Sequence, residues 1–198
     1  MTELTFDPDT HTYRLAGKLL PSVSEIISPL GNSEENDLLE MRLERAAERG
    51  TILHAALADL LSGDEPEVPS DYEKYMDGVR LFLDEHSLEP YAMEEPTYSE
   101  RLWVAGTPDF VGLFDGELAI LDYKFVSQVA KIKVKAQLNL YAEMTEEHGL
   151  FPDRLLCVQF LPGGDYRLYP TARDNTEADC CLQLYRLKQK RQPKGAIA

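Results

Sequence analysis

Asp109, Asp122 and Lys124 are the residues whose types and spacing could do chemistry. They lie on two largely apolar runs, 109–114 and 117–125, that flank Asp115-Gly116. Asp-Gly between such runs is a strong short-range signal for a β-hairpin closed by a two-residue type I′ turn. With that turn Phe114 pairs with Glu117, and successive pairs run outward until Asp109 faces Asp122. Cβ atoms of facing residues stand about 4.5 to 5.5 Å apart, where two like charges destabilise the hairpin unless something compensates them. A divalent cation is the natural compensation. Side chains alternate along a strand, so Lys124 projects to the same face as Asp122 while Tyr123 points the other way. Two carboxylates and an ammonium on one face suit metal-assisted hydrolysis of a phosphodiester. Asp109 and Asp122 are expected to hold Mg²⁺ or Mn²⁺, hard cations that prefer oxygen, with the backbone carbonyl of Tyr123 as a further ligand. Lys124 would orient or activate the attacking water and stabilise charge on the phosphate. Two other readings compete: a structural Asp122–Lys124 pair at a sheet edge with Asp109 solvated, and a two-carboxylate glycosidase. The nearby lysine and the acid-free stretch that follows it favour phosphate over sugar.

The elements around the hairpin follow from periodicity. Val111, Leu113, Leu118 and Ile120 share the carboxylates' face, and Phe110, Phe114, Leu121 and Tyr123 line the other. Both faces should therefore be covered, and charges entering such a hairpin must be paired or metal-bound. Upstream, residues 6–20 alternate around Ala16-Gly17 as a β-ribbon, and Ser22 with Glu25 forms a capping box that opens a short helix through Ile27. Helices are expected over 38–61 and 72–86, the second with Tyr75, Val79, Phe82 and Leu83 on one stripe. Strands follow at 91–98, 102–105, 155–161 and 166–169, with helices at 134–148 and 176–190. The sum is an α/β fold whose central sheet is mixed, mainly antiparallel and flanked by helices. A single domain over 1–198 is expected, with the ribbon and short helix in 1–30 and the catalytic sheet in 90–170.

Composition narrows the partners. A formal charge of −15 argues against a general nucleic-acid coat. The charge is uneven, however: 123–142 and 182–198 hold no acid and carry nine of the twenty Lys and Arg residues, so a local positive surface can exist on an acidic body. Lys131, Lys133 and Lys135 in the first window are candidate contacts to a DNA backbone; a solvated helix face and a basic tail would have the same composition. The chain begins with neither a signal sequence nor a membrane span, which predicts a soluble, cytoplasmic protein. Cys157, Cys180 and Cys181 read as reduced thiols. Gln137 and Tyr141 are one helical turn apart and share a face that can reach the site, or can equally pack on the sheet.

Gly106-Thr107-Pro108-Asp109, Leu121-Asp122-Tyr123-Lys124 and Gln137-Leu138-Asn139-Leu140-Tyr141 together resemble the PD-(D/E)XK nuclease superfamily, and within it the RecB-type nucleases and phage-type exonucleases. Gly50-Thr51-Ile52-Leu53-His54 matches a further Gly-Thr…His segment, Glu94 in Met93-Glu94-Glu95-Pro96 matches an acid before the hairpin, and 13–27 looks like the opening of phage-type members. The resemblance covers most of the chain. It implies a restriction-endonuclease-like core, His54 as a metal ligand, Glu94 in the site with Glu95 as its rival, and Gln137 and Tyr141 supporting substrate and site geometry. It also implies an exonuclease acting on double-stranded DNA ends for recombination, with DNA, a single-strand-annealing protein and further copies of itself as partners. A structure-specific or restriction-like endonuclease, or an idle DNA-binding module of the same fold, are the alternatives. Some RecB-type nucleases hold an iron–sulfur cluster on four cysteines; three cysteines cannot, so no cluster is expected.

Overall fold

The computed structural model describes residues 3–31 and 37–191; Lys194 of the basic tail lies outside them. Three short strands come first, β1 (Leu4–Asp7), β2 (Thr12–Leu15) and β3 (Lys18–Leu20), paired in that order into a small antiparallel sheet. The expected ribbon around Ala16-Gly17 is thus its second hairpin, with both turn residues left-handed at φ 48° and 77°. Helix α1 (Val23–Ile26) follows, and Ser22 caps it by accepting the Glu25 N–H at 3.0 Å, as the capping box requires.

Helices α2 (Asp37–Ser62) and α3 (Glu73–Glu85) lead into β4 (Leu88–Met93), β5 (Thr97–Ser99) and β6 (Val104–Gly106). The single strand expected over 91–98 is broken: β4 joins the central sheet while β5 pairs with β6. Glu94 takes a left-handed φ of 48° at the break, and Pro96 cannot donate to a ladder. Then come β7 (Phe110–Phe114), β8 (Glu117–Lys124), α4 (Lys131–Glu147), β9 (Arg154–Phe160), β10 (Tyr166–Thr171) and α5 (Thr176–Arg191). The β7–β8 register is the expected one, Phe114 opposite Glu117 and Phe110 opposite Leu121. Asp115 and Gly116 both have positive φ, 51° and 83°, as a type I′ turn demands.

The central sheet runs β10-β9-β8-β7-β4. Every pair in it is antiparallel except β8 with β9, whose parallel register sets Cys157 beside Asp122 and Gln159 beside Lys124. A parallel neighbour needs a crossover, and α4 provides it. One face, with Val111 and Ile120, packs against α4, α5 and α1. The other, with Phe110, Phe114, Leu121 and Tyr123, packs against α2 and α3. At the centre of that second layer Phe82 is fully buried and stacks on Phe114 at 5.9 Å between ring centres. Helix α4 begins three residues earlier than periodicity suggests, because Lys131, Ile132 and Lys133 show no apolar stripe. No helix of the described residues is long and apolar enough to cross a membrane.

Candidate active site

The start of β7 and the end of β8 meet at one end of the sheet, between α2 and α4. Asp109 is one position outside the ladder, across from Asp122. Asp122 is almost wholly buried, its side chain 1% exposed. Its Oδ1 accepts from Lys124 Nζ at 2.7 Å, whereas its Oδ2 is buried with no hydrogen-bond partner among the described residues. The Tyr123 N–H donates to Asp109 Oδ2 at 2.7 Å, tying the two strands together beyond the ladder. His54 reaches in from α2: its Nε2 donates to the Tyr123 carbonyl at 3.1 Å. Its Nδ1 lies 3.5 Å from Glu94 Oε1 and 3.7 Å from Asp109 Oδ1. The kink at Glu94, whose N–H donates to the Asp109 carbonyl at 3.3 Å, is what brings Glu94 to His54.

The electrostatics follow from burial and close charge. Burial pushes the Asp109 carboxyl up to about 6, with Asp122 adding to the rise and His54 opposing it. Burial disfavours the His54 imidazolium, but Asp109 and Glu94 outweigh it and raise its pKa. Lys124 behaves alike: burial works against the ammonium, and Asp122 and Asp109 overcome it, so the lysine stays charged. The hydrogen bond from His54 holds Glu94 below the ordinary carboxylate range. Beside Asp122, burial and that carboxylate push the Cys157 thiol up to about 12, so it is no nucleophile. Cys157 and Cys181 are buried, Cys180 is exposed, and all three are free thiols.

A hard divalent cation fits this donor set. The bare Asp122 Oδ2, Asp109 Oδ1, the Tyr123 carbonyl and Glu94 are oxygen donors with negative charge in excess, and His54 adds a nitrogen. Among the described residues no three His, Cys, Asp or Glu side chains already stand around a common point. Asp122 is turned partly to Lys124 and His54 to the Tyr123 carbonyl. An ion would therefore compete with the Lys124 ammonium for Asp122 and with a proton for His54.

On the α4 side, Gln137 Nε2 donates to the Tyr141 hydroxyl at 3.2 Å, and both side chains line one cleft with Asp109, Thr107 and Tyr13. Tyr13 and Thr107 join hydroxyls at 2.8 Å across it. Their contribution is invisible in the sequence beyond the motif stretches that contain them, because 94 positions separate the pair. Gly106 has a packing reason: a Cβ there would come within 2.8 Å of Tyr141 Cε1 and 2.9 Å of Val23 Cγ2. Gln159 is a second residue that sequence reasoning missed. Buried beside Lys124, it donates to the Val126 carbonyl at 2.7 Å and accepts from the Tyr169 hydroxyl at 2.9 Å, which pins the loop after β8. The three lysines of α4 part company. Lys135 Nζ is held by Asp174 at 2.5 Å and by Glu177 at 3.0 Å. Lys131 lies over the Tyr169 ring at 5.1 Å, and Lys133 approaches Gly31.

Among solved structures, the chain is similar to LHK-Exo in complex with dAMP, at 10% identity over 86% of this chain and 88% of that one, with a TM-score of 0.44. It is also similar to an alkaline exonuclease (LHK-Exo) from Laribacter hongkongensis, at 13% identity over 85% and 91% of the two chains and a TM-score of 0.38. A third, SSO0001, is 16% identical over 87% and 85%, with a TM-score of 0.40. At such identities and scores these proteins lend nothing about chemistry to this chain. No family model matches it, and no curated protein does.

Proposed function

We propose that this protein is a metal-dependent DNA nuclease of the PD-(D/E)XK kind, and within it an exonuclease that processes double-stranded ends for recombination. The observation that carries the reading is Asp122: a buried carboxylate with Lys124 on one oxygen and, among the described residues, no hydrogen-bond partner on the other, facing Asp109, in a structure where a bare buried carboxylate oxygen is costly. Asp109, Asp122, Glu94, His54 and the Tyr123 carbonyl would hold Mg²⁺ or Mn²⁺, which when bound clamps a scissile phosphate and makes water a better nucleophile. Lys124, kept charged by Asp122, donates to the attacking water or to a phosphate oxygen. The Gln137 amide and Tyr141 hydroxyl hold the substrate phosphate against the site. Lys131, Lys133 and Lys135 face the DNA backbone, with Lys135 the weakest of them because two carboxylates already occupy it. A single-strand-annealing protein and further copies of the chain complete the proposed partners.

One gel tests the reading. End-labelled linear DNA and closed circular DNA are incubated with protein and Mg²⁺, Mn²⁺ or EDTA, with Asp122→Asn as control. The expected result is metal-dependent shortening of linear DNA from its ends, with circles intact. Cut circles would make the protein an endonuclease instead. Retardation without cutting in any metal would make it a DNA-binding module.

A further inference from the structure

Gly50 stands well inside α2, a helix of 26 residues, where only proline is a poorer choice. Its φ is not in the left-handed region, and apart from its chain neighbours and the backbone of its own helix no atom of the described residues lies within 4 Å of where its Cβ would be. Neither a turn nor close packing within the protein asks for glycine here. The bare turn instead forms the floor of an open cleft of about 300 Å³ whose other walls are Thr51, His54 and Glu94. Gly50 is one helical turn from His54, so the cleft opens beside His54 and Glu94, two of the proposed metal donors. Beside it, Arg49 Nε donates to the Phe125 carbonyl at 3.1 Å, and its guanidinium carbon is 5.5 Å from the centre of the Tyr75 ring. Those contacts hold one edge of the Arg49 guanidinium at the Phe125 carbonyl, leave its terminal nitrogens to other acceptors and, among the described residues, give its charge no carboxylate partner.

We propose that the sugar–phosphate backbone of the DNA strand crosses α2 at Arg49 and Gly50. The missing side chain lets the strand lie against the helix on its way to Asp122, and the Arg49 guanidinium takes a phosphate flanking the scissile one. The inference rests on the nuclease reading above and adds the path of the strand on the α2 side. A guanidinium suits the task because its planar fork donates two parallel hydrogen bonds to a phosphate. The glycine suits it because a single methyl on the helix would crowd the strand where it crosses.

The test compares wild type, Gly50→Ala, Gly50→Leu and Arg49→Gln by melting, by steady-state cleavage of a duplex with Mg²⁺, and by DNA binding in a Lys124→Ala background. Alanine is the better helix former, so Gly50→Ala should melt about 2–4 °C higher than wild type. It should nevertheless bind DNA about tenfold more weakly, as overpacking a close contact does, with the loss in KM and not in kcat. Gly50→Leu should bind more weakly still. Arg49→Gln should lower the slope of log affinity against log salt by about one. Two results overturn the proposal: Gly50→Ala melting below wild type, which would mean that the protein itself needs the space, or both Gly50 variants binding and cleaving as wild type does. If those variants are unchanged while wild type cuts DNA, the strand path is wrong and the nuclease reading stands. If wild type neither binds nor cuts DNA, both fall.

Discussion

Asp122 shares one carboxylate oxygen with Lys124 and, among the described residues, leaves the other bare, and that asymmetry separates metal binding from chemistry. Lys124→Ala removes the ammonium that acts on water and phosphate and frees the oxygen it held, so the variant should bind Mn²⁺ at least as well as wild type and lose most cleavage. Asp122→Ala should lose both. Calorimetry with Mn²⁺ beside the cleavage gel decides it, and loss of Mn²⁺ binding in Lys124→Ala would contradict the division. Asp109 gives a second prediction, in pH. Its carboxyl is pushed up to about 6 from an ordinary 3.8, so between those values the folded protein holds a proton that the unfolded chain has released. Stability in EDTA should therefore fall as pH rises across that window, since this group favours the unfolded chain once both states are ionised. Asp109→Asn keeps the shape and removes the charge; it should flatten that slope and melt above wild type in EDTA at neutral pH. Melting curves from pH 4.5 to 7 read the effect, and a variant that melts lower at neutral pH would show that the two carboxylates do not repel.

At the scale of elements, α4 does two jobs that the sequence presents as one run. Its inner face brings Gln137 and Tyr141 to Asp109 over the gap that Gly106 leaves. Gly106→Ala should drive a Cβ into Tyr141 and Val23, costing about 1–3 kcal/mol of stability and lowering cleavage more than global unfolding explains. Urea titration alongside single-turnover rates separates the two effects. Its N-terminal turn carries the lysines. Replacing Lys131, Lys133 and Lys135 together with Gln should weaken DNA binding across sequences and flatten its salt dependence. Because Asp174 and Glu177 already hold Lys135, Lys135→Gln alone should lower the salt slope less than Lys131→Gln or Lys133→Gln does. A slope unchanged in the triple variant would move the DNA path off α4, towards α2 or the basic C-terminal helix.

The whole molecule carries −15 at neutral pH, so DNA meets net repulsion that local patches must overcome, and a divalent ion at the site relieves part of it. An ion that binds only the folded protein, at a hundredfold excess over its Kd, stabilises it by about 2.7 kcal/mol. For a chain of 198 residues that is a rise of about 6 °C in Tm. Mn²⁺ should produce it in wild type and little of it in Asp109→Asn. A full Mn²⁺ response in that variant would place the ion away from the paired carboxylates.

What the sequence by itself determined is what local rules govern. Asp115-Gly116 admits one tight turn, and alternation on either side of it then sets Asp109 across from Asp122 with Lys124 on the same face, with no knowledge of the rest of the chain. The Ser22 cap, the stripe on α3 and the helical spacing of Gln137 and Tyr141 are local in the same sense. Tertiary structure alone decided the features that join distant segments. The break after β4 turns Glu94, not its neighbour, towards His54, because a left-handed residue and a bond to the Asp109 carbonyl outweigh the run of strand-forming residues. The parallel pairing of β9 with β8 puts Gln159 and Cys157 beside the site, and no periodicity in either strand encodes which partner it will take. Lys135 looks like its two neighbours until Asp174 and the first turn of α5 fold back and neutralise it, and Gly50 looks like a flaw in a helix until the cleft above it is seen. Charge pairing and empty space are properties of surfaces brought together, and the chain has neither until it folds.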